Sequence, residues 1–450
     1  MIMSQGKKAD KPAKLEIYFD ARDGSYWFNL NGRFVALGKT DLFLHLRKDY
    51  ELTDVLKDGI RELDWPLYKA QTERMIDYAG ALAGHRAGTF TDGSGRKYLV
   101  TDEAHGVFDD LPKEVPKFFP DFITELLPAG QHEFACQWLA IALRSLRKGD
   151  FRPGQVCIFA GAAGCGKSLL QQIITEILGG RSSNPFRYMM ELTQFNKDLC
   201  GAEHWQIEDP ATSIDMRTRR AFGAKLKEAT VNRDFSIHAK GKDALTLPLF
   251  RRVTISVNDE PENLAVCPPL DPSIQDKVFL FHCGKAEKCF EPFRDKGGEV
   301  DRQGVWLAVM KEIHAVRAWL LREFPAKAIP KDYRDDRFGV RAWHHPELLN
   351  ELAAMAKETR LLQLVDEAFY PKRKDDDCDI YVEKIGSSSE LEKELRKSEI
   401  GFQFEKLLSF VGEFGSLLGK LAKSQPKRVS KKLSGGYATW TIHPPATTKE

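Results

Sequence analysis

The stretch "GAAGCGKS", Gly161 to Ser168, fits the spacing G-x-x-x-x-G-K-[ST]. Glycines at the fixed positions let a backbone wrap an anion with its N–H groups turned inward. In such a loop Gly161, Ala162, Ala163, Gly164, Cys165, Gly166, Lys167, Ser168 and Leu169 surround the phosphates of a nucleotide. The Lys167 ammonium reaches the β and γ phosphates and the Ser168 hydroxyl holds a metal, so ATP and Mg²⁺ are the expected cofactors. A plain glycine-rich turn is the competing account, and it leaves the lysine without a purpose. Cys165 reads as a small residue that fits the loop.

A phosphate loop that hydrolyses ATP needs an acid at the end of a neighbouring strand, to orient Mg²⁺ and the attacking water. "HWQIEDP" supplies two, Glu208 and Asp209. Both are catalytic and metal candidates; the two roles stay unassigned between them, with Asp209 favoured for the water. The bland reading is a turn before Pro210. "RVTISV", Arg252 to Val257, is followed by Asn258, whose amide at a strand tip could sense the γ-phosphate and hold the lytic water. Between these, "HAKGKDALTL" offers His238, Lys240 and Lys242. Lysine is a mobile point charge suited to non-specific phosphate contact, and it is equally at home in a solvated turn.

These groups work only if strands and helices bring them together. "QVCIFA" before the loop is a short apolar strand, and "SLLQQIITEIL" after it is a helix whose N-terminus adds partial positive charge. From about 154 to 284, strands alternate with helical stretches, which predicts an α/β core with a largely parallel sheet. Residues 117–148 read as two helices. Residues 15–115 read as a small mixed domain, with a β-meander through Asn31-Gly32 and a helix capped by Thr40. The periodicity of 301–370 is helical. The charged run "YPKRKDDDCD" is a linker, placed at 371–380. The last segment, 381–450, opens with a capping box at Ser389 and Glu392, continues as a basic amphipathic helix and ends in a glycine turn and strand. That order predicts a winged-helix-like module.

Composition sets limits but picks no function. With 450 residues the chain has room for two to four domains. A net charge of +2 means that any nucleic-acid surface must be a local cluster. No apolar run is long enough to span a membrane. The N-terminal 1–14, polar and basic, reads as a disordered tail rather than a secretory signal. The eight cysteines lack a disulfide spacing and suit a reducing, cytoplasmic setting. "HCGKAEKC" (His282, Cys283, Cys289) lacks a paired CxxC and is not read as a metal site.

In the order "GAAGCGKS", "WQIED", "HAKGKDALTL", "RVTISVN", the residues from about 117 to 285 resemble superfamily 3 helicases, AAA+ ATPases of viruses, phages and plasmids. The similarity is greatest to the helicase part of phage and plasmid primase-helicases. The resemblance implies an AAA+ core at 116–300 and a homo-oligomeric, hexameric ring with ATP between subunits. It also implies a DNA replication role, with single-stranded or forked DNA and possibly a primase as partners. It places Lys240 and Lys242, with His238 nearby, on a hairpin that projects into the ring channel and grips the strand. One departure is plain. Family members often carry an arginine that reaches into the neighbour's ATP site, and here "SIQDKVFLF" has Lys277. Lysine supplies the charge without the bidentate fork. Arg251, Arg252 and the cluster Arg217, Arg219, Arg220 are the other finger candidates, and Lys225 and Lys227 are candidates for inter-subunit contact.

Two other classes stay open. One is a non-unwinding AAA+ switch, an initiator or defence ATPase. The other is a P-loop small-molecule kinase, which would need a lid with arginines soon after the phosphate loop.

Overall fold

The computed structural model describes residues 15–30, 32–208, 216–238, 244–264, 266–268, 270, 273–370, 382–408, 410–434 and 437–445. At its centre is a five-stranded sheet. In spatial order the strands are Ser182–Ser183, His204–Glu208, Arg252–Val257, Val156–Ala160 and Val278–His282, and every neighbouring pair is parallel. The α/β expectation with a parallel sheet is met. Val156–Ala160 is buried along its whole length, as a strand covered on both faces must be. Alternation divides its side chains. Cys157 and Phe159 enter one apolar cluster with the helices Phe118–Leu126, Gln131–Lys148, Lys167–Ile177 and Arg302–Glu323. Val156, Ile158 and Ala160 enter the other, with Trp205, Phe222, Phe235 and Leu247.

Helix Arg302–Glu323, which the sequence groups with a separate helical segment, packs into the first of these clusters. It also closes the ends of two other helices. The Glu312 carboxylate accepts from the Lys117, Phe118 and Phe119 amides at 2.8–3.3 Å, where helix Phe118–Leu126 has donors without intrahelical partners. The Arg317 guanidinium, 3% exposed, donates to the carbonyls of Ile177 and Glu176 at the far end of helix Lys167–Ile177. Each charge has the sign that the helix dipole favours at that end.

Residues 15–100 form a two-stranded pair, Leu56–Lys57 with Ile60–Arg61, and two larger sheets. One joins Ile17–Asp20, Ser25–Leu30 and Arg33–Leu37 as the expected meander, with Met75–Ile76 beside the first strand. The other joins Tyr78–Gly80, Lys97–Val100 and Gly88–Thr91, and its Tyr78, Tyr98 and Val100 are buried in the second cluster of the central sheet. Asn31 lies outside the described residues. Thr40 does not cap the first helix: Lys39–Asp49 starts after Gly38, so Thr40 is already inside its first turn.

Helix Pro346–Phe369 spans about 36 Å at 1.5 Å per residue. Its Leu348 and Leu352 belong to the central core, and its Leu361, Leu364 and Val365 to a separate C-terminal core. That core is closed by strand Lys384–Gly386, three helices (Ser388–Lys397, Gly401–Leu407, Glu413–Ser424) and the antiparallel strands Val429–Ser434 and Tyr437–Ile442. The capping box exists but two residues earlier than expected. Ser387 and Glu390 exchange it, because the helix begins at Ser388 and its N3 position is Glu390. The linker 371–380 and the N-terminal 1–14 lie outside the described residues.

Candidate nucleotide site

The carboxyl ends of parallel strands are where an α/β sheet leaves a ligand crevice. Three of the motifs arrive there by strand register alone. Ala160 pairs with Val257, so the glycine loop and Asn258 leave the sheet side by side. Glu208 pairs with Ser256 on the other side of the asparagine strand. The asparagine strand therefore lies between the loop strand and the acidic strand.

Within the loop, two glycines are needed for stated reasons. Gly166 caps helix Lys167–Ile177 with φ of 118°, a region that L side chains avoid. A Cβ on Gly161 would stand 2.8 Å from the Cys283 backbone oxygen, so the loop could not lie against that strand end with any other residue. Lys167 is 8% exposed. Its ammonium donates to the Gly161 and Ala162 carbonyls at 2.6 and 2.9 Å and to Asn258 Oδ1 at 3.2 Å. Ser168 is exposed at the helix start, and Glu208 is exposed at its strand end, hydrogen-bonded by the Gln206 amide.

These groups face a cavity of about 760 Å³ that runs from Ala163 to Leu169 and across to Glu208, Ser256 and Asn258. Its remaining wall includes residues that sequence reading did not single out, among them Lys285, Glu287, Phe290, Arg294, Arg302 and Trp306. They combine cations with aromatic faces, the pair of surfaces that a nucleotide needs. Nothing in their types or local spacing marks them, because they reach the cavity through packing across layers: helix Arg302–Glu323 on the loop helix, and 288–293 on helix Phe118–Leu126.

A buried polar layer holds the loop helix on the sheet. His204 bridges Thr175 Oγ1 at 2.7 Å and Thr254 Oγ1 at 2.8 Å. Burial drives its pKa down to about 3, so this imidazole is neutral. Gln171 Nε2 donates to Thr254 Oγ1 and to the Ile207 carbonyl.

Cys165 is more than a small residue that fits. The Cys283 thiol hydrogen-bonds to it, and with the Lys167 charge this outweighs burial and lowers its pKa to about 6. Burial pushes Cys283 up, which keeps it a donor. Cys165 is thereby brought closer to its thiolate form at neutral pH than an ordinary cysteine. We expect iodoacetamide to alkylate Cys165 ahead of the other described cysteines, with a rate that climbs through about pH 6 and not through the ordinary thiol range near 8.5. Peptide mapping after timed quenching checks this, and a Cys165 profile rising only above pH 8 would contradict it.

The other sequence candidates stand as follows. Asp209, Lys240 and Lys242 lie outside the described residues. His238 is exposed at the end of strand Asp234–Ile237, which pairs antiparallel with Leu245–Pro248, Ile237 opposite Leu245. The two arms of a hairpin are thus in place, and Phe235, Ile237, Leu245 and Leu247 anchor them in the core. Arg251 and Arg252 are 6% and 1% exposed. Arg251 donates to the Ala229 and Asn232 carbonyls, and Arg252 to the Arg152 and Arg251 carbonyls. Both guanidinia serve their own chain's interior, so neither is presented to a neighbour. Lys277 is 8% exposed and is held 2.5 Å from the Asp276 carboxylate. Lys225 pairs with Glu228. The side chains of Arg217, Arg219 and Arg220 are outside the description.

The profile of one sequence family, described as a family of unknown function (DUF5906), matches residues 159–269, a stretch that begins next to the loop and ends beyond Asn258. No curated protein matches the chain in sequence. Among solved structures, the A form apo structure of the NrS-1 C terminal region aligns with a TM-score of 0.53 at 14% identity, over 96% of this chain and 97% of that one. A second apo structure of the NrS-1 C terminal region gives 0.53 at 15% identity, over 96% of each chain. A structure described as the active helicase SCCmec type IV Cch aligns at 0.33 and 10% identity, over 95% and 93%. The likeness to the NrS-1 region is one of fold and extends along both chains. No helix among the described residues is long and apolar enough to cross a membrane.

Proposed function

We propose that the chain is an ATP-hydrolysing, ring-forming DNA helicase or translocase of the superfamily 3 type, serving replication of a phage, plasmid or integrated element. The observation that carries this reading is the convergence of Ala163–Ser168, Glu208 and Asn258 on one cavity at the carboxyl end of the parallel sheet. A small-molecule kinase needs an acceptor pocket beside the phosphates. It also needs a lid with arginines soon after the phosphate loop, whereas the arginines that line this cavity, Arg294 and Arg302, come from a segment far downstream of it.

ATP is the substrate. The loop amides and the start of helix Lys167–Ile177 would hold its phosphates. Lys167 would exchange the Gly161 and Ala162 carbonyls and the Asn258 amide for phosphate oxygens. That exchange releases Asn258 Oδ1 to orient water, so the same side chain registers the γ-phosphate. Ser168 and Glu208, with Asp209, offer the hydroxyl and carboxylate oxygens that suit Mg²⁺. The metal would supply charge neutralisation on the phosphates.

A short path joins this site to the hairpin. Strand Leu245–Pro248 is followed by the buried Leu249, Phe250 and Arg251, then by the asparagine strand itself. A shift of Asn258 is thereby delivered to the arms that carry Lys240 and Lys242. The C-terminal unit, with strand, three helices and two strands in that order, supports a winged-helix-like DNA contact. A groove of about 600 Å³ there is lined by Lys420, Lys423 and Lys431.

The test is the double variant Lys240→Ala with Lys242→Ala, assayed on forked DNA. Unwinding should be lost while basal ATP hydrolysis stays within about twofold, because lysines on the hairpin would serve phosphate contacts with the strand, and the described arms that flank them, His238 and Leu245, do not line the nucleotide cavity. Unwinding at the parental rate would sink the hairpin assignment. ATP hydrolysis stimulated by single strands without any unwinding in the parent would favour the switch reading.

A further inference from the structure

We propose that His282, His345 and Glu347 form a zinc-binding site that fastens the long helix Pro346–Phe369 to the edge strand of the central sheet. Each of the three offers a ring nitrogen or carboxylate oxygen, and these atoms lie within 4.8 Å of one another. Donors on a tetrahedral zinc, at about 2.0–2.2 Å from the metal, stand roughly 3.5 Å apart. The set is therefore about an ångström from closure, and the exposed Glu347 side chain is free to supply that movement.

The two histidines are held by their backbones. His282 ends strand Val278–His282, where Gln131, 1% exposed, receives its amide and donates to its carbonyl, both at 2.9 Å. His345 is the residue before helix Pro346–Phe369, and its amide donates to the Leu280 carbonyl at 2.8 Å. Their rings stand 4.9 Å apart at 69°. His345 Nδ1 is buried and has no hydrogen-bond partner among the described residues. An orphaned imidazole nitrogen costs stability unless something takes it up. His282 Nε2 is 3.2 Å from Asp259 Oδ2, the carboxylate behind an imidazole that fixes ring orientation at metal centres.

The donor set selects the metal. Two imidazoles and one carboxylate suit zinc, whereas Mg²⁺ and Ca²⁺ take mainly oxygen ligands. With neutral imidazoles, Glu347 and Asp259 carry two negative charges, which balance a divalent ion. Reading "HCGKAEKC" as a metal motif fails because its sulfurs go elsewhere: Cys283 hydrogen-bonds to Cys165, and Cys289 donates to the Ala286 carbonyl. Its histidine finds partners 63 and 65 positions later instead, at His345 and Glu347. Neither His345 nor Glu347 lines the nucleotide cavity, so the inference stands independently of the ATP reading. Because the clasped helix continues into the C-terminal core, zinc would fix how that unit is held on the sheet.

The chain stripped with a chelator, reloaded with excess zinc and desalted should retain one zinc per chain by elemental analysis. Cobalt substituted for zinc should give the visible absorption of a tetrahedral nitrogen–oxygen site. His345→Ala and Glu347→Ala should each weaken zinc binding at least tenfold. Glu347 is exposed, so that variant keeps its fold, which circular dichroism confirms, and it loses the zinc-dependent rise in melting temperature seen in the parent. Sub-stoichiometric zinc in the parent overturns the proposal. So does undiminished binding in Glu347→Ala, or zinc lost from Cys165→Ser but kept in His345→Ala, which would place the metal at the thiols.

Discussion

Lys167→Ala is expected to lower ATP hydrolysis by at least about a hundredfold, the loss typical of removing one preorganised charge from a phosphate-transfer site. The side chain is folded against the Gly161 and Ala162 carbonyls and Asn258. All three acceptors belong to the loop or to the strand tip that faces it. The ammonium is thus already at the mouth of the anion cradle and needs only a rotation about its own stem to meet a phosphate. Lys167→Arg separates charge from shape: the guanidinium keeps the charge but is a planar fork where a point charge is required, so most activity should still be lost. Steady-state hydrolysis assays with matched circular dichroism spectra check both variants. An alanine variant with more than about a tenth of parental turnover would remove the nucleotide reading of the cavity.

Glu203→Ala is expected to destabilise the fold by about 3–5 kcal/mol, the cost of breaking a buried pair from one side. Glu203 is fully buried. One carboxylate oxygen accepts from the Gly84 amide at 2.9 Å and from Arg181, and the other accepts from Arg181 Nε at 2.9 Å. Its carbonyl receives the Arg252 amide at the start of the asparagine strand. Deleting the carboxylate leaves the Arg181 charge, with 11% side-chain exposure, to the Asp102 and Leu82 carbonyls and to the half-exposed Asp102 carboxylate 3.8 Å away. It also orphans the Gly84 N–H. Urea denaturation followed by tryptophan fluorescence measures the loss. Replacing both partners, as in Glu203→Leu with Arg181→Met, should recover a large part of it, since the buried charge is then gone. A single variant within 1 kcal/mol of the parent would show that water reaches this pair.

The parts of the site that were legible in the sequence are those that a strand end fixes. Once "QVCIFA", "HWQIE" and "RVTISV" are parallel strands in one sheet, Gly161, Glu208 and Asn258 must emerge at the same edge, whatever the rest of the chain does. Contacts made across layers left no such trace. Cys283 follows a strand of ordinary composition, and only the register Ala160 with His282 brings it to Cys165. Arg294 and Arg302 arrive from a segment whose local pattern says no more than turn and helix start. Arg251 and Arg252 show the opposite error. Two arginines before a β-branched strand look available, yet the strand begins inside the core and carries them in with it. The box at Ser387 and Glu390, two residues before the expected pair, reflects a serine run in which three candidate caps compete for one helix start.

Helix Arg302–Glu323 sets where the chain can be cut. A fragment ending near 300, or at 269 where the family profile stops, would strip Glu312 from one helix start and Arg317 from the other helix's end. It would also expose the apolar face that Val309, Ile313, Val316 and Leu320 cover. Such a piece would be a substrate for proteases rather than a small ATPase. The smallest part of this chain that can be expressed as an autonomous unit therefore runs past residue 323. Sequence similarity covers the glycine loop, Glu208 and Asn258, while foldability requires a helix that the similarity does not reach.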